Sequence, residues 1–429
     1  MVIIILTLIN KSLWSITIVL LIFSGLYFTW RLKFIQFRIK NMFKGFKSRE
    51  SSVASPFKVL MLTLGARIGI GSLAGVALAI YIGGPGTVFW LWISTIIVAS
   101  NAYVESYLGV LFHEKHDGFN RGGPSYYIDK GLNNKSLAKI YSIIVLITYI
   151  LGFLTIQANT IAKSFQNFNN SNPLVIGILL AIISGFVIIR GTKGIIDVSS
   201  KIMPFIGILY IAVSIYVLGS NLDRLPDIFC LIITGAFDFK SVGMGILTPF
   251  IIGFQRGIFS NEAGVGSGAI AASTVDNDDA RGQGMIQVAG IYFTTLVLCT
   301  ITAFMVLLSN YQEINLENIN GIELTQYAFN YHLGNYGGII LMITIFIFAF
   351  STIISGYYYG ETSFNYLKRD ATNKEIMILK IITLILLIGG SIANSLFLWN
   401  LVDIFIAIMG MINIYAIFKL RSKVKWFMV

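Results

Sequence analysis

Two stretches set glycines and a charge inside otherwise apolar sequence: GARIGIGSLAG at 65–75 and GFQRGIFSNEAGVGS at 253–267. What they offer is accessible backbone. Glycine lets another group approach the main chain closely. Free N–H groups at a half-helix N-terminus, with the partial positive charge there, receive an anion such as a carboxylate. The run from Gly69 through Gly71 and Ser72 to Gly75 suits that role. A desolvated hard cation wants several oxygens instead, from unwound carbonyls and side-chain hydroxyls. Ser351, Thr352 and Ser355 supply hydroxyls, with Ser351 and Ser355 on one helix face at i, i+4 spacing. In apolar helices such hydroxyls also bond back to their own backbone. Gln157, in LTIQANT, carries an amide that needs a partner, either on a neighbouring helix or in a bound molecule. Five charges lie inside apolar segments: Arg67, Glu105, Arg256, Glu262 and Glu361. Charges at membrane depth are costly and point to function. Arg256 and Glu262, six residues apart across irregular sequence, are expected to pair as a clamp or gate, with direct substrate contact as the alternative.

The elements that hold these residues follow from composition. Of 429 residues, 56 % are hydrophobic and 12 % charged, and mean hydropathy is +0.78. That is the composition of a membrane protein, not of a soluble domain. Apolar segments long enough to cross a bilayer fall near 12–31, 57–82, 87–112, 140–162, 173–190, 197–219, 241–265, 285–309, 337–361, 375–393 and 396–418. The net charge of +11 resides largely in alternate loops, which hold 25 of the 31 Lys and Arg. The other side carries only Lys11, Lys163, Arg224 and Lys240. The positive-inside rule then puts the N-terminus outside and the C-terminus in the cytoplasm, and an odd number of spans agrees. The basic excess is a topology signal, so a nucleic-acid partner is not expected. The first apolar run has its basic cluster after it rather than before, the reverse of a secretory signal, and is expected to be a retained helix. Cys230 and Cys299 lack a spacing motif, so neither a disulfide nor a metal site is expected. The HEKH cluster at 113–116 is read as solvated loop residues.

Both irregular stretches sit in spans. Irregular backbone survives at membrane depth only when buried in protein or lining a cavity. An internal echo links them: Gly69-Ile70-Gly71-Ser72 recurs as Gly264-Val265-Gly266-Ser267. Setting aside the first helix leaves ten spans, five on each side of the 220–240 segment. With an odd number in each half, the second half enters the membrane in the opposite sense. The expected fold is therefore all-α and polytopic: eleven transmembrane helices, one extra N-terminal helix plus a five-plus-five inverted repeat, each half opening on a broken helix. The expected divisions are 1–56 for the first helix and basic loop, 57–219 for the first repeat, 220–240 for an extracellular connection, and 241–429 for the second repeat and tail. A short interfacial helix is expected at 126–130.

Seven ordered motifs then carry a resemblance: FIQFR at 34–38, SLAGVA at 72–77, GGPGTVFWLW at 83–92, RGGPSYYI at 121–128, QANT at 157–160, RGIFSNEAGVGS at 256–267 and FAFSTIISGYYYGE at 348–361. The chain resembles the alanine or glycine:cation symporter family, sodium-coupled amino-acid carriers with the inverted-repeat fold of amino-acid transporters. The resemblance implies a secondary active transporter in the cell membrane that moves a small neutral amino acid inward with sodium, by alternating access. No organic cofactor and no metal beyond sodium is implied, and the partners are an amino acid, sodium and the lipid bilayer. It places substrate contacts at Gly69, Gly71, Ser72, Gly75, Gln157, Thr352 and Gly356, and a sodium site at Ala66, Gly69, Ser351, Thr352 and Ser355. The family pattern G-T-x-G-T-G-N is replaced at its first Gly, both Thr and Asn by Ala66, Arg67, Ile70 and Ser72. A Trp usual in the ninth span is replaced by Gly356, which is expected to enlarge the pocket. Two outcomes stand open for Arg67: it points away and pairs with a carboxylate such as Glu105, or it points inward and substitutes for the ion in a sodium-independent carrier or exchanger. A non-transporting sensor derived from a carrier is a further alternative. A channel would need a continuous polar pore face, and an enzyme a nucleophile with its base or a metal cluster, which the spans lack.

Overall fold

The computed structural model describes residues 2–46, 53–116, 118–238, 247–311 and 321–425. Helix makes up most of the described part of each of the eleven expected spans, interrupted at the two breaks; the first six residues of the 241–265 span, and Lys240, lie outside the described residues. α1 (Val2–Arg31) is followed by the short α2 (Ile39–Lys44). The second span is split into α3 (Pro56–Arg67) and α4 (Ala74–Gly83), bent by 62° at the break. Pro56 starts α3 at a position where its missing N–H is no loss, and the Ser55 hydroxyl accepts from Lys58 N–H. α5 (Gly86–Leu111) leads to a hairpin of β1 (Glu114–His116) and β2 (Phe119–Arg121), then to α6 (Pro124–Leu132), the short helix expected near 126–130. α7 (Lys135–Leu146) and α8 (Leu154–Asn169) join through π-helical turns at Ile147–Phe153. α9 (Pro173–Ile188) and α10 (Gly191–Gly219) complete the first five spans.

The 220–240 segment, expected as a connection, is itself largely helical. It contains α11 (Leu225–Phe237), 13 residues long, rich in Ile and Phe but too short to span. Gly235 lies so close to Gly86 that a side chain at Gly86 would strike its carbonyl, so α11 docks on α5 through glycine. The second half opens with α12 (Leu247–Asn261) and α13 (Ser267–Ala272), and continues as α14 (Ala280–Ile291), π-helical turns at Tyr292–Cys299 and α15 (Thr300–Leu308). α16 (Ile322–Leu333) is a short helix before α17 (Gly337–Leu367), α18 (Asn373–Ile392) and α19 (Ser395–Lys419). Among the described residues, eight helices are long and apolar enough to cross a membrane, and the α3–α4 pair makes a ninth; α9 is apolar but shorter.

Both breaks have local causes. α3 ends as Ile68 N–H donates to Leu64 O at 2.7 Å, and Ile68, Gly69 and Leu73 leave helical geometry. Between α12 and α13, Gly264 and Gly266 have φ of +78° and +96°, which glycine adopts without a steric penalty. Glu262, at φ +55°, adopts the same left-handed region although it has a side chain. The breaks face one another across the core, with α1 packed outside them against α5 and α19.

Candidate functional site

The first break gathers residues from three helices. The Gln157 Oε1 on α8 accepts from Ile70 N–H at 3.2 Å, while its Nε2 is buried with no hydrogen-bond partner. From α17, Thr352 Oγ1 donates to Gly65 O at 2.9 Å and to its own Phe348 O at 3.2 Å. Gly69 lies between them, so close that a Cβ would strike both Thr352 Oγ1 and the Gln157 amide. Its φ of −110° is not left-handed, but its ψ of −147° lies outside the usual extended and helical ranges, so glycine answers both the tight space and the backbone angle. Farther along, Gly71 faces Phe259. Ser72 Oγ meets Ser260 Oγ at 3.1 Å. Gly75 faces the Trp399 ring, which lies 3.8 Å from the Cβ position.

Three aromatic rings wall this space. Phe153 stacks on Phe259 with centroids 5.0 Å apart, and Phe259 meets Trp399 at 4.9 Å. None was singled out from sequence, because an aromatic in an apolar run reads equally well as lipid-facing. Gly356 falls outside the group. A Cβ there would meet Leu154 Cδ1 at 2.9 Å and Tyr149 Cδ1 at 3.2 Å, so the position is packed against the fourth span and does not enlarge a pocket as expected.

A second set of oxygens lies one turn earlier. A Cβ on Gly65 would be 2.7 Å from both Ser351 Oγ and Ser355 Oγ, so the face carrying these hydroxyls lies directly on α3. Ser355 also meets Ser199 Oγ of α10 at 3.3 Å, and Ser351 donates to Met203 Sδ at 3.0 Å. Ser199 is a member the sequence reading missed. With Thr352 and the Gly65 carbonyl, these groups form a neutral, oxygen-rich niche of the kind that suits a hard monovalent cation. Ala66 follows directly in α3 and is buried. The HEKH residues do not converge: His113 contacts Ser273 O and Asp278, and His116 contacts Arg369 O. Among the described residues no group of three or more His, Cys, Asp or Glu is placed to hold a metal.

The intramembrane charges sort differently from expectation. Arg256 does not pair with Glu262. Its Nη2 donates to Asp403 Oδ2 of α19 at 2.5 Å, and its guanidinium lies 4.9 Å from the Trp399 ring centre. Glu262 instead accepts from Ser267 Oγ at 2.8 Å within its own break. The left-handed turn at Glu262 folds its side chain back onto α13, leaving Arg256 to reach α19. Asp403 was readable as a carboxylate inside LVDIF and was overlooked. It also accepts from Gln255 Nε2 at 2.9 Å, and α1 holds it on the far side: Asn10 Nδ2 reaches Oδ2 at 3.5 Å and Trp14 Nε1 donates to its carbonyl at 3.1 Å. Above this pair opens a cavity of about 710 Å³ whose lining includes Lys11, Tyr81, Lys163, Gln255 and Asn400. Glu361 pairs with Arg121 at 3.0 Å, tying α17 to β2. Arg67 turns towards α14, donating to Gln287 Oε1 at 3.1 Å, away from the Ser351–Ser355 face. Glu105 accepts from Asn413 Nδ2 at 2.8 Å. The direct Arg67–Glu105 bond, one of the two expected outcomes, is replaced by the Gln287 contact.

Residues 1–428 match the model of the sodium:alanine symporter family. The chain is 38 % identical over 422 residues to the probable sodium/glutamine symporter GlnT of Bacillus subtilis (strain 168), covering 97 % of this chain and 87 % of that protein. It is 32 % identical over 432 residues to the sodium/alanine symporter AgcS of Methanococcus maripaludis, covering 97 % and 94 %. Among solved structures, MhsT in complex with L-phenylalanine superposes with a TM-score of 0.62 at 17 % identity, over 85 % of this chain and 89 % of that one. A sodium-coupled sialic acid symporter in a substrate-bound outward-open state superposes with a TM-score of 0.53 at 11 % identity, over 94 % and 82 %.

Proposed function

The chain belongs to the sodium:alanine symporter family, and from that premise we propose that it carries a neutral amino acid of the alanine–glutamine class into the cell together with sodium. The observation that carries this reading is the meeting of Gly69, Gln157 and Thr352 at the first break, with the Gln157 Nε2 unpartnered beside open backbone. An unpaired buried amide donor is expensive unless something binds it, and a substrate carboxylate against the N–H groups of Gly69 to Gly75 supplies that partner. Sodium fits the niche of Ser351, Thr352, Ser355 and Ser199 with the carbonyls of Gly65, Ala66 and Gly69. Its distance from Arg67, which turns to Gln287, favours sodium coupling over a carrier in which the arginine replaces the ion.

Alternating access assigns the Arg256–Asp403 pair and the rings of Phe153, Phe259 and Trp399 to the barrier on the side of the large cavity. Arg121–Glu361 serves as a tie on the opposite side. With the loop charges as they stand, that cavity faces outward, the N-terminus lies outside and the C-terminus in the cytoplasm. In this reading the divisions at 57–219 and 241–429 are the two repeats, with α11 forming an outer connection. Uptake of radiolabelled alanine and glutamine into proteoliposomes, with and without an inward sodium gradient, tests the proposal. Gradient-dependent accumulation of either is expected. Binding of an amino acid without any accumulation would indicate a sensor instead.

A further inference from the structure

The cations beside the β-hairpin and at the end of α17 are balanced by carboxylates. Lys130 pairs with Glu114 at 2.8 Å, and Arg369 with Asp129 at 3.5 Å. At the start of α10 the balance fails. Arg190, Lys193 and Lys201 form no ion pair among the described residues. With Gly194, Asp197 and Val198 they line a cleft of about 310 Å³. Asp197, the carboxylate of the cleft, already has Lys58 Nζ at 3.7 Å. Lys380 of α18 donates to Ile189 O at 3.4 Å, next to Arg190. Positions 190, 193, 197 and 201 recur at three- and four-residue intervals, so they share one face of the helix. A Cβ on Gly194 would strike the Arg190 side chain, so glycine lets that arginine fold against α10.

Four residues past Lys201 the same face turns apolar. Phe205 and Ile208 are 63 % and 70 % exposed, and Phe186, one turn before Arg190 on α9, is exposed as well. Side chains lean towards the N-terminus of their helix, so Lys201 leans from this apolar stretch back towards Lys193. From Lys201 to Ile208 the helix rises about 10 Å, within the roughly 15 Å depth of one hydrocarbon leaflet. A lysine and arginine excess that only sets orientation can lie anywhere in a loop. It requires neither a cleft nor a shared face running into exposed rings. Cations above and apolar surface below fit a molecule with an anionic head and acyl chains. Basic pockets beside transmembrane helices take such headgroups, and a guanidinium forks onto phosphate oxygens.

We propose that the cleft at the start of α10 binds the phosphate of an anionic phospholipid, whose acyl chain lies along Phe205 and Ile208, and that the bound lipid steadies the sodium-binding arrangement. The effect on sodium rests on the symport reading; the lipid site does not. Two contacts connect the cleft to the interior. Thr192, between Arg190 and Lys193, accepts from Arg121 Nη2 at 3.4 Å, and Arg121 is the cation of the Glu361 tie. Ser199 and Met203 lie two residues to either side of Lys201, on the opposite face, where they meet Ser355 and Ser351. A headgroup held by Arg190, Lys193 and Lys201 therefore fixes the turns that carry Thr192 and Ser199.

The test offers the full chain phosphatidylglycerol and phosphatidylcholine together in detergent and counts retained lipid by native mass spectrometry. Phosphatidylglycerol should be preferred by about tenfold or more. The combined Arg190→Gln, Lys193→Gln and Lys201→Gln variant should lose that preference. Lys135→Gln with Lys139→Gln, which removes exposed cations outside the cleft, should keep it. Equal retention of the two lipids, or equal loss in both variants, would overturn the site. Displacement of phosphatidylglycerol by inorganic phosphate would make the ligand a soluble anion and overturn the lipid assignment. Sodium-driven alanine uptake is then compared in vesicles of phosphatidylcholine alone and of equal parts phosphatidylcholine and phosphatidylglycerol. The anionic vesicles should lower the sodium concentration for half-maximal uptake by about fivefold or more in the parent, the lower end of ordinary coupling between sites, and not in the cleft variant. An equal shift in both would overturn the coupling to the sodium niche. Absence of uptake in either membrane would overturn the symport reading and leave the lipid count standing.

Discussion

At the residue scale, Gln157 does two things with one amide. Its oxygen holds Ile70 N–H and its nitrogen is kept in reserve. Gln157→Ala should therefore cost little stability, on the order of 1 kcal/mol for one hydrogen bond. It should raise the apparent KM for uptake by about tenfold or more, since a bond to a charged group is worth roughly 1.5–3 kcal/mol. Unchanged KM in initial-rate uptake would remove Gln157 from the substrate site. Gly356 makes the opposite case. Leu154 and Tyr149 already occupy the space beside it, so Gly356→Trp should overpack the contact with α8 at about 1–3 kcal/mol and lower Tm. Gly356→Ala asks only that a leucine methyl and a ring edge shift, and should be near neutral. A substrate preference altered by Trp at full stability would restore the pocket-wall reading. The sequence disclosed Gln157 and the hydroxyls of α17 because polar groups in apolar runs are conspicuous. It hid Phe259 and Trp399, whose chemistry becomes visible only when a guanidinium is found against the Trp399 ring.

At the element scale, the two breaks were legible because glycine clusters with charge have few other uses in a membrane helix. What glycine does there was not, since spacing cannot separate conformational need from close approach. Gly264 and Gly266 are required by positive φ, whereas Gly69 is required by its neighbours as well as by its ψ. Gly69→Ala should accordingly overpack the contact with Thr352 and Gln157, lowering Tm through a cost of about 1–3 kcal/mol, and reduce alanine uptake by about tenfold or more, a factor that needs only about 1.4 kcal/mol. A variant that transports normally would show that Thr352 and Gln157 have room to part. Equally unreadable were α11 and the π-helical turns. The first has an apolar face without the length of a span, and the second needs only one i→i+5 bond pattern that no residue type signals.

At the scale of the molecule, the Arg256–Asp403 pair lines a cavity of about 710 Å³ and is the proposed barrier between it and the first break. Removing one partner of a buried pair leaves the other uncompensated, at about 3–5 kcal/mol, enough to shift an opening equilibrium. Asp403→Asn should speed labelling of a Gly75→Cys reporter by an impermeant maleimide by about tenfold or more. Cys230→Ser removes the exposed native thiol, and Cys299 is buried. Gly75 suits the reporter because a Cβ there meets nothing closer than 3.8 Å. Equal labelling in the two backgrounds would show that the pair is not the barrier. The same carboxylate joins α1 to α19, since Asn10 and Asp403 lie 393 positions apart. At ribosomal rates of about 5–20 residues per second, the amide of Asn10 and the indole of Trp14 enter the bilayer roughly 20–80 s before their partner is made. Through that interval the first helix is a waiting component, its polar groups needing lipid headgroups, water or an insertion chaperone. Its docking through these groups must wait for α19, and a chain stopped short of α19 would leave Asn10 and Trp14 without the partners they have here.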